Sequence, residues 1–158
     1  FQEGLKARRV CAAMWKPTSD KPRYLPYTNI RWDLANSLSE AGLPRSQANI
    51  SSDREFWIDD EMANHQGFIA RLRDSAFALS PPGAGLDTHR TWEALVLGVI
   101  PVVFHSPLVP LYDRLPVVTI VDSSQVTQEA LQEWHRDLSE DAHRFDWSRM
   151  TAFWWYVA

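Results

Sequence analysis

The sequence predicts an α/β protein of the Rossmann-like, doubly wound kind, a mainly parallel sheet with helices on both faces. Three observations carry that prediction. Short apolar runs rich in Val, Ile and Phe alternate with longer segments of helical periodicity, the pattern of parallel strands joined by helical crossovers. The stretch from Ser75 to His105 holds one whole β-α-β unit, with the loop Pro81-Pro82-Gly83-Ala84-Gly85 between its first strand and its helix. A second long, proline-rich loop follows an earlier strand, so both loops fall at the carboxyl edge of the sheet, where doubly wound folds take up ligands.

The elements follow in order. A polar, basic lead (Lys6, Arg8, Arg9) precedes Val10-Cys11-Ala12-Ala13-Met14-Trp15, an apolar run suited to a strand buried on both faces, expected near 10 to 15. Pro17, Pro22 and Pro26 lie among turn formers and make residues 16 to 29 a loop. A helix is expected from about Ile30, capped by Thr28 or Asn29, with Ile30, Leu34 and Leu38 on one side and an end near Gly42-Leu43-Pro44. Signals weaken from Arg45 to Asp60; Ala48 to Ser51 reads as a short strand and Trp57-Ile58 as core packing.

Glu61 to Arg73 reads as a helix with Met62, Phe68, Ile69 and Leu72 inward and His65 at its surface or cap. Strands are expected near 76 to 80 and 100 to 104, separated by a helix from Asp87 or Thr88 to Leu97 that Gly98 stops in a left-handed cap. Within the second of these strands Pro101 lies near the start, where a missing N–H is tolerated. A fifth strand near 117 to 121 leads through Asp122-Ser123-Ser124 into a helix from Thr127 to Leu138, with Ala130, Leu131, Trp134 and Leu138 aligned. Ser139 onward suggests a last helix. Its aromatics (Phe145, Trp147, Phe153, Trp154, Trp155) carry too much apolar surface for a free tail and are expected to pack on this domain or on an absent partner half.

A chain of 158 residues fits one domain and can bury about 70% of its unfolded surface. The sequence opens on Phe1 and stops inside an aromatic run, so residues 1–158 are expected to be one domain of a longer two-domain chain. Net charge is −4, which removes the electrostatic case for nucleic acid. One cysteine, Cys11, excludes an internal disulfide and a cysteine-based zinc site. No run approaches the ~18 apolar residues of a membrane span, and any anchor is expected outside these residues.

The Pro/Gly loop feeds a helix N-terminus, where unpaired backbone N–H groups and the helix dipole favour an anion such as phosphate. Asp87 or Thr88 can cap this helix. His89 and Arg90 fall in its first turn, where a cation opposes the dipole; a bound diphosphate would balance Arg90, whose guanidinium fork matches phosphate oxygens. Glu93 lies one turn deeper on nearly the same face and can meet a ribose diol, or Arg90 and Glu93 are an ordinary surface pair. Thr88 stands where a dinucleotide fingerprint needs its third glycine, and no Gly-Lys-Ser/Thr follows to make a P-loop. Trp92 reads as a core aromatic. No Gly-x-Ser-x-Gly elbow is present, which disfavours a hydrolase.

The run from Ala78 to Val103, followed by Ser106-Pro107-Leu108 and Leu115-Pro116-Val117-Val118, resembles the exostosin-like glycosyltransferases, most specifically between Phe77 and Val121. That resemblance implies the C-terminal half of a GT-B fold, holding a nucleotide-sugar, a UDP-sugar foremost, as co-substrate with no metal and no other cofactor. It implies an inverting transfer to a glycan or glycoprotein acceptor held by an N-terminal acceptor domain that also carries the general base, so no catalytic residue is assigned here and the domain alone is expected to be inactive. It implies a lumenal Golgi setting. The implied donor site comprises Gly83, Gly85, Asp87, His89, Arg90 and Glu93, with Arg31 matching an arginine frequent early in the corresponding helix, or else simply solvated. His105 or Ser106 follows a strand whose loop approaches the donor in such folds, or lies in a plain polar loop. Pro82 stands where many relatives have arginine, and Val99 where cysteine is common. The alternative is a non-catalytic nucleotide or sugar-phosphate binding module on the same fold.

Overall fold

The computed structural model describes residues 7–11, 30–45, 55–59, 64–83 and 85–151. Five strands form one all-parallel sheet: β1 (Ala7–Cys11), β2 (Trp57–Asp59), β3 (Ser75–Leu79), β4 (Ile100–Phe104) and β5 (Val118–Ile120). Their spatial order is β2-β1-β3-β4-β5. Four helices accompany them among the described residues: α1 (Ile30–Glu40), α2 (His65–Arg73), α3 (His89–Val96) and α4 (Gln128–Glu140). The expected Rossmann-like, doubly wound class is therefore present.

The two faces separate by their cores. Leu34 and Leu38 of α1 and Leu131 of α4 pack with Val10, Ile58, Phe77 and Ile100. Phe68 and Leu72 of α2 pack with Ala78 and with Ala94 of α3. Alternation along each strand sends neighbouring residues to opposite faces, and both faces are covered, as an all-parallel sheet requires. The chain moves outward from β1 to β2, then returns past β1 to β3 and onward, so the direction of winding reverses between β1 and β3. At such a switch point the loops after the two central strands diverge and leave a crevice at the carboxyl edge.

Local chemistry explains the boundaries. Gly42 and Gly98 take left-handed φ values of 65° and 67° after α1 and α3, a conformation that glycine adopts without a Cβ clash. Thr127 caps α4 by accepting from the Ala130 N–H at 3.2 Å. Asp122 and Gln125 form a reciprocal capping box on the 3₁₀ turn Ser123–Gln125, and the Ser123 hydroxyl meets Ser37 of α1 at 2.8 Å. The Gln128 carboxamide takes the Phe56 N–H at 2.9 Å and donates back to the Phe56 carbonyl, tying the entry of β2 to α4.

Several boundaries differ from expectation. The first strand, Ala7–Cys11, starts at Ala7 rather than near 10, because Arg9 is usable on the sheet: its guanidinium lies 4.8 Å from the Trp57 ring centroid and 3.6 Å from Asp59. Residues 12 to 29 and the expected strand at 48 to 51 lie outside the described residues, and the second strand is Trp57–Asp59. Ser139 does not begin a last helix, since α4 runs to Glu140 and two 3₁₀ turns, Ala142–Arg144 and Trp147–Met150, follow. Phe145 is half-buried and Trp147 exposed; Phe153, Trp154 and Trp155 lie outside the described residues.

Candidate functional site

The β3–α3 loop crosses the carboxyl edge beside the switch point, and all but one of the expected site residues sit on it or on the first turns of α3. The Gly83 N–H donates to the Gly85 carbonyl at 3.0 Å, closing a turn. Gly42 and Gly98 are the described glycines with positive φ, so neither Gly83 nor Gly85 is demanded by backbone conformation. A Cβ on Gly85 would meet the Asp87 carbonyl at 3.7 Å, an ordinary contact.

Helix α3 starts as expected at Thr88, but the capping differs. Thr88 is the N-cap residue and its side chain makes no capping hydrogen bond. Its hydroxyl is instead 2.6 Å from the Ser80 hydroxyl and 3.2 Å from that of Thr91, while Ser80 and Thr91 are 2.8 Å apart. Ser80 and Thr91 are 3% and 1% exposed, so this hydroxyl triangle ties the end of β3 to the helix in a buried setting. Asp87 does not cap either. Its carboxylate accepts from the Trp92 indole N–H at 2.8 Å. Trp92 is thus no core aromatic; it is half-buried at the surface, its ring centroid 5.9 Å from that of Tyr112.

Tyr112 reaches the cluster from the 3₁₀ turn Val109–Tyr112 between β4 and β5. Burial pushes its phenol pKa up, the nearby Asp87 carboxylate adds to the rise, and a hydrogen bond with Thr91 opposes it. A neutral phenol and three hydroxyls therefore underlie the loop, leaving its outer surface to Asp87 and His89, both exposed, and to Glu93, half-buried. Among the described residues Glu93 forms no ion pair, so an Arg90–Glu93 surface pair is not formed.

Arg90 is the main departure from the expected site. Its guanidinium donates to the Leu79 carbonyl at 3.3 Å and lies 5.6 Å from the Phe68 ring centroid. The cation in the first turn of α3 thus finds the carbonyl at the end of β3 and an aromatic face on α2. Arg31 is the second residue of α1, and its side chain lies outside the described residues. His105 is exposed, with its N–H on the Ile120 carbonyl at 2.7 Å; the Ser106 hydroxyl is turned back to the Leu108 N–H at 3.2 Å.

Two features escaped the sequence reading. The Ser80-Thr88-Thr91-Tyr112 cluster joins residues whose spacing carries no motif. Asp59, at the carboxyl end of β2, is 3% exposed and accepts from Arg71 of α2 at 2.9 and 3.0 Å, with Arg9 at 3.6 Å. The one visible signal was a carboxylate ending the apolar run Phe56-Trp57-Ile58. Among the described residues no group of three or more His, Cys, Asp or Glu is placed to hold a metal ion, and no helix is long and apolar enough to cross a membrane. No family model and no curated protein matches the chain.

Proposed function

We propose that this chain is the nucleotide-sugar donor-binding half of a glycosyltransferase of the exostosin-like kind, with a UDP-sugar as its co-substrate. The observation that carries the reading is a helix N-terminus without a side-chain cap, presented by a glycine-containing loop beside the topological switch point. Its first-turn N–H groups would hold the donor diphosphate and stabilise the negative charge that grows on it as the glycosidic bond breaks. His89 would add a donor at the rim, Glu93 would receive the ribose diol, and Gly83, Gly85 and Asp87 would shape the approach. Arg90, anchored on Leu79 and Phe68, would contribute its charge from beneath the phosphates. Arg31 would approach from the neighbouring helix. The acceptor, a glycan or glycoprotein, and the base that deprotonates it would belong to a second, N-terminal half, in a lumenal Golgi setting.

The test is calorimetric titration with UDP and with GDP. We expect UDP binding that falls at least tenfold in Arg90→Ala and in Glu93→Ala, each verified as folded by circular dichroism. A tenfold loss corresponds to about 1.4 kcal/mol, in the range of a charge-assisted contact. Unchanged affinity in Arg90→Ala would sink the assignment of that residue. The intramolecular partners of Arg90 favour a second reading, a non-catalytic nucleotide or sugar-phosphate binding module on the same fold; UDP binding that survives Arg90→Ala yet fails in Glu93→Ala would select it.

A further inference from the structure

The opposite edge of the sheet carries a cavity that the donor site does not use. It measures about 630 Å³ and is lined by Asp113, Arg114, Leu115, Asp141, His143, Arg144 and Phe145. Leu115 lies just before β5 and Asp141 just after α4, so the cavity lies toward the amino edge and shares no lining residue with the β3–α3 loop. Its volume is that of pockets that take small organic ligands.

The charges around it are unequally committed. Asp113 accepts from the buried Arg149 guanidinium at 2.7 Å, and Arg149 also reaches the Asp113 carbonyl. Asp141 faces Arg144 at 3.3 Å. Arg114 has no hydrogen bond or ion pair from its guanidinium among the described residues. Its charge acts on Asp146, whose carboxylate is held below the usual range chiefly by Ser148, with Arg114 and Arg149 contributing. Asp146 is half-buried and takes the Ser148 N–H and hydroxyl, so Ser148 supplies its hydrogen bonds and Arg114 supplies none.

Arg114 is also the one described non-glycine residue in the left-handed region, at φ 59°. An arginine there strains the backbone where glycine would not. Residues held in such conformations cluster at ligand sites. Here the backbone conformation is fixed by neighbours, with the Arg114 carbonyl taking the Asp146 N–H at 2.9 Å, and the strained residue is the one with a charge to spare.

We propose that this cavity binds a small organic monocarboxylate, with Arg114 receiving the carboxylate and Phe145 and Leu115 bedding an apolar or ring-shaped body. A guanidinium fork matches the two coplanar oxygens of a carboxylate, and one uncommitted cation balances one negative charge. His143 and Arg144 border the same opening and can orient the body. The site stands independently of the nucleotide-sugar reading.

The experiment is an amide chemical-shift titration of the isotopically labelled chain with benzoate, with benzyl alcohol as its uncharged counterpart and inorganic phosphate as a rival anion. Benzoate at millimolar concentration should shift amides of 113–115 and 141–145, at least tenfold more tightly than benzyl alcohol or phosphate. Arg114→Gly and Arg114→Asn both suit the left-handed backbone, and should weaken benzoate at least tenfold while the melting temperature holds or rises. Equal binding of benzyl alcohol, preference for phosphate, undiminished benzoate binding in Arg114→Gly, or no shift in those amides would each overturn the proposal. A melting temperature that falls in both variants would also overturn it, by showing that Arg114 is there for the fold.

Discussion

Two helices of this molecule begin with a threonine at the N-cap on the same edge of the sheet, and one of them is capped by it. Thr127 turns its hydroxyl to the first turn of α4 and takes the Ala130 N–H. Thr88 holds the equivalent position before α3 with a similarly extended backbone, yet its hydroxyl goes to Ser80 and Thr91. The residue type is the same, so the difference lies in what competes for the oxygen. Near Thr127 no other hydroxyl is bonded to it among the described contacts, and the helix N–H wins. Near Thr88 two buried hydroxyls stand within hydrogen-bonding distance. A polar group cut off from water loses more by staying unpaired than a helix end loses by being solvated. The buried pair therefore captures the cap and leaves the end of α3 open. Capping is thus decided by burial of the rivals, and an uncapped N-terminus at a ligand-binding edge can result from packing one layer below it.

The comparison breaks most visibly if the captor is removed. Thr91→Val keeps the shape of the side chain and deletes the hydroxyl that meets Ser80 and Tyr112, so we expect a loss of about 2 kcal/mol in urea unfolding, the size of a buried partner left unpaired. Thr88, with one rival fewer, should swing toward the helix, and slower amide exchange in the first turn of α3 would report it. A loss under about 0.5 kcal/mol would mean that the triangle contributes little and that some other feature keeps Thr88 from capping.

A smaller effect separates the two threonines directly. Thr127→Ala should cost about 1 kcal/mol, a typical N-cap loss, and should speed amide exchange at Ala130. Thr88→Ala removes no cap, so exchange in the first turn of α3 should stay as it was, while stability falls through the hydroxyl triangle. Faster exchange at the start of α3 in Thr88→Ala would contradict the assignment of its hydroxyl.

The same competition explains what the sequence could and could not disclose. The β3-α3-β4 unit, α1 and α4 were legible because their signals are local: apolar period, a cap residue in place, and glycine where a left-handed φ follows a helix. Thr88 was placed correctly as an N-cap residue, but its bond was misjudged because Ser80 enters from a strand eight residues away. The start of β1 was hidden by Arg8-Arg9, which read as a polar lead. Arg9 joins the sheet because Trp57 and Asp59, far along the chain, supply a ring and a carboxylate. β2 was missed for the mirror reason, since a charged Asp59 beside Trp57-Ile58 does not read as a buried strand residue until Arg71 is brought over it. The Arg90 anchor on Leu79 and Phe68 depends on which face α2 occupies, and the strained φ of Arg114 leaves no trace in composition or period.

Tyr112 gives the finest probe of the buried layer, because its titration reports the environment that captured Thr88. Its pKa is raised above the ordinary 10.0 by burial and by Asp87, so the folded chain holds the phenol proton to higher pH than the unfolded chain does. As pH climbs past ~10 the unfolded state releases this proton first, and stability, intact below that point, falls until the folded phenol also ionises. Near neutral pH the charge contributes nothing, and Tyr112→Phe should shift stability there by about 1 kcal/mol or less through the lost bond to Thr91. Between pH 9 and roughly 11 the wild-type melting temperature should drop more steeply than that of Tyr112→Phe, so the two curves converge. Parallel curves across that span would place the Tyr112 hydroxyl in water, and the layer that holds Thr88 away from its helix would then consist of Ser80 and Thr91 alone.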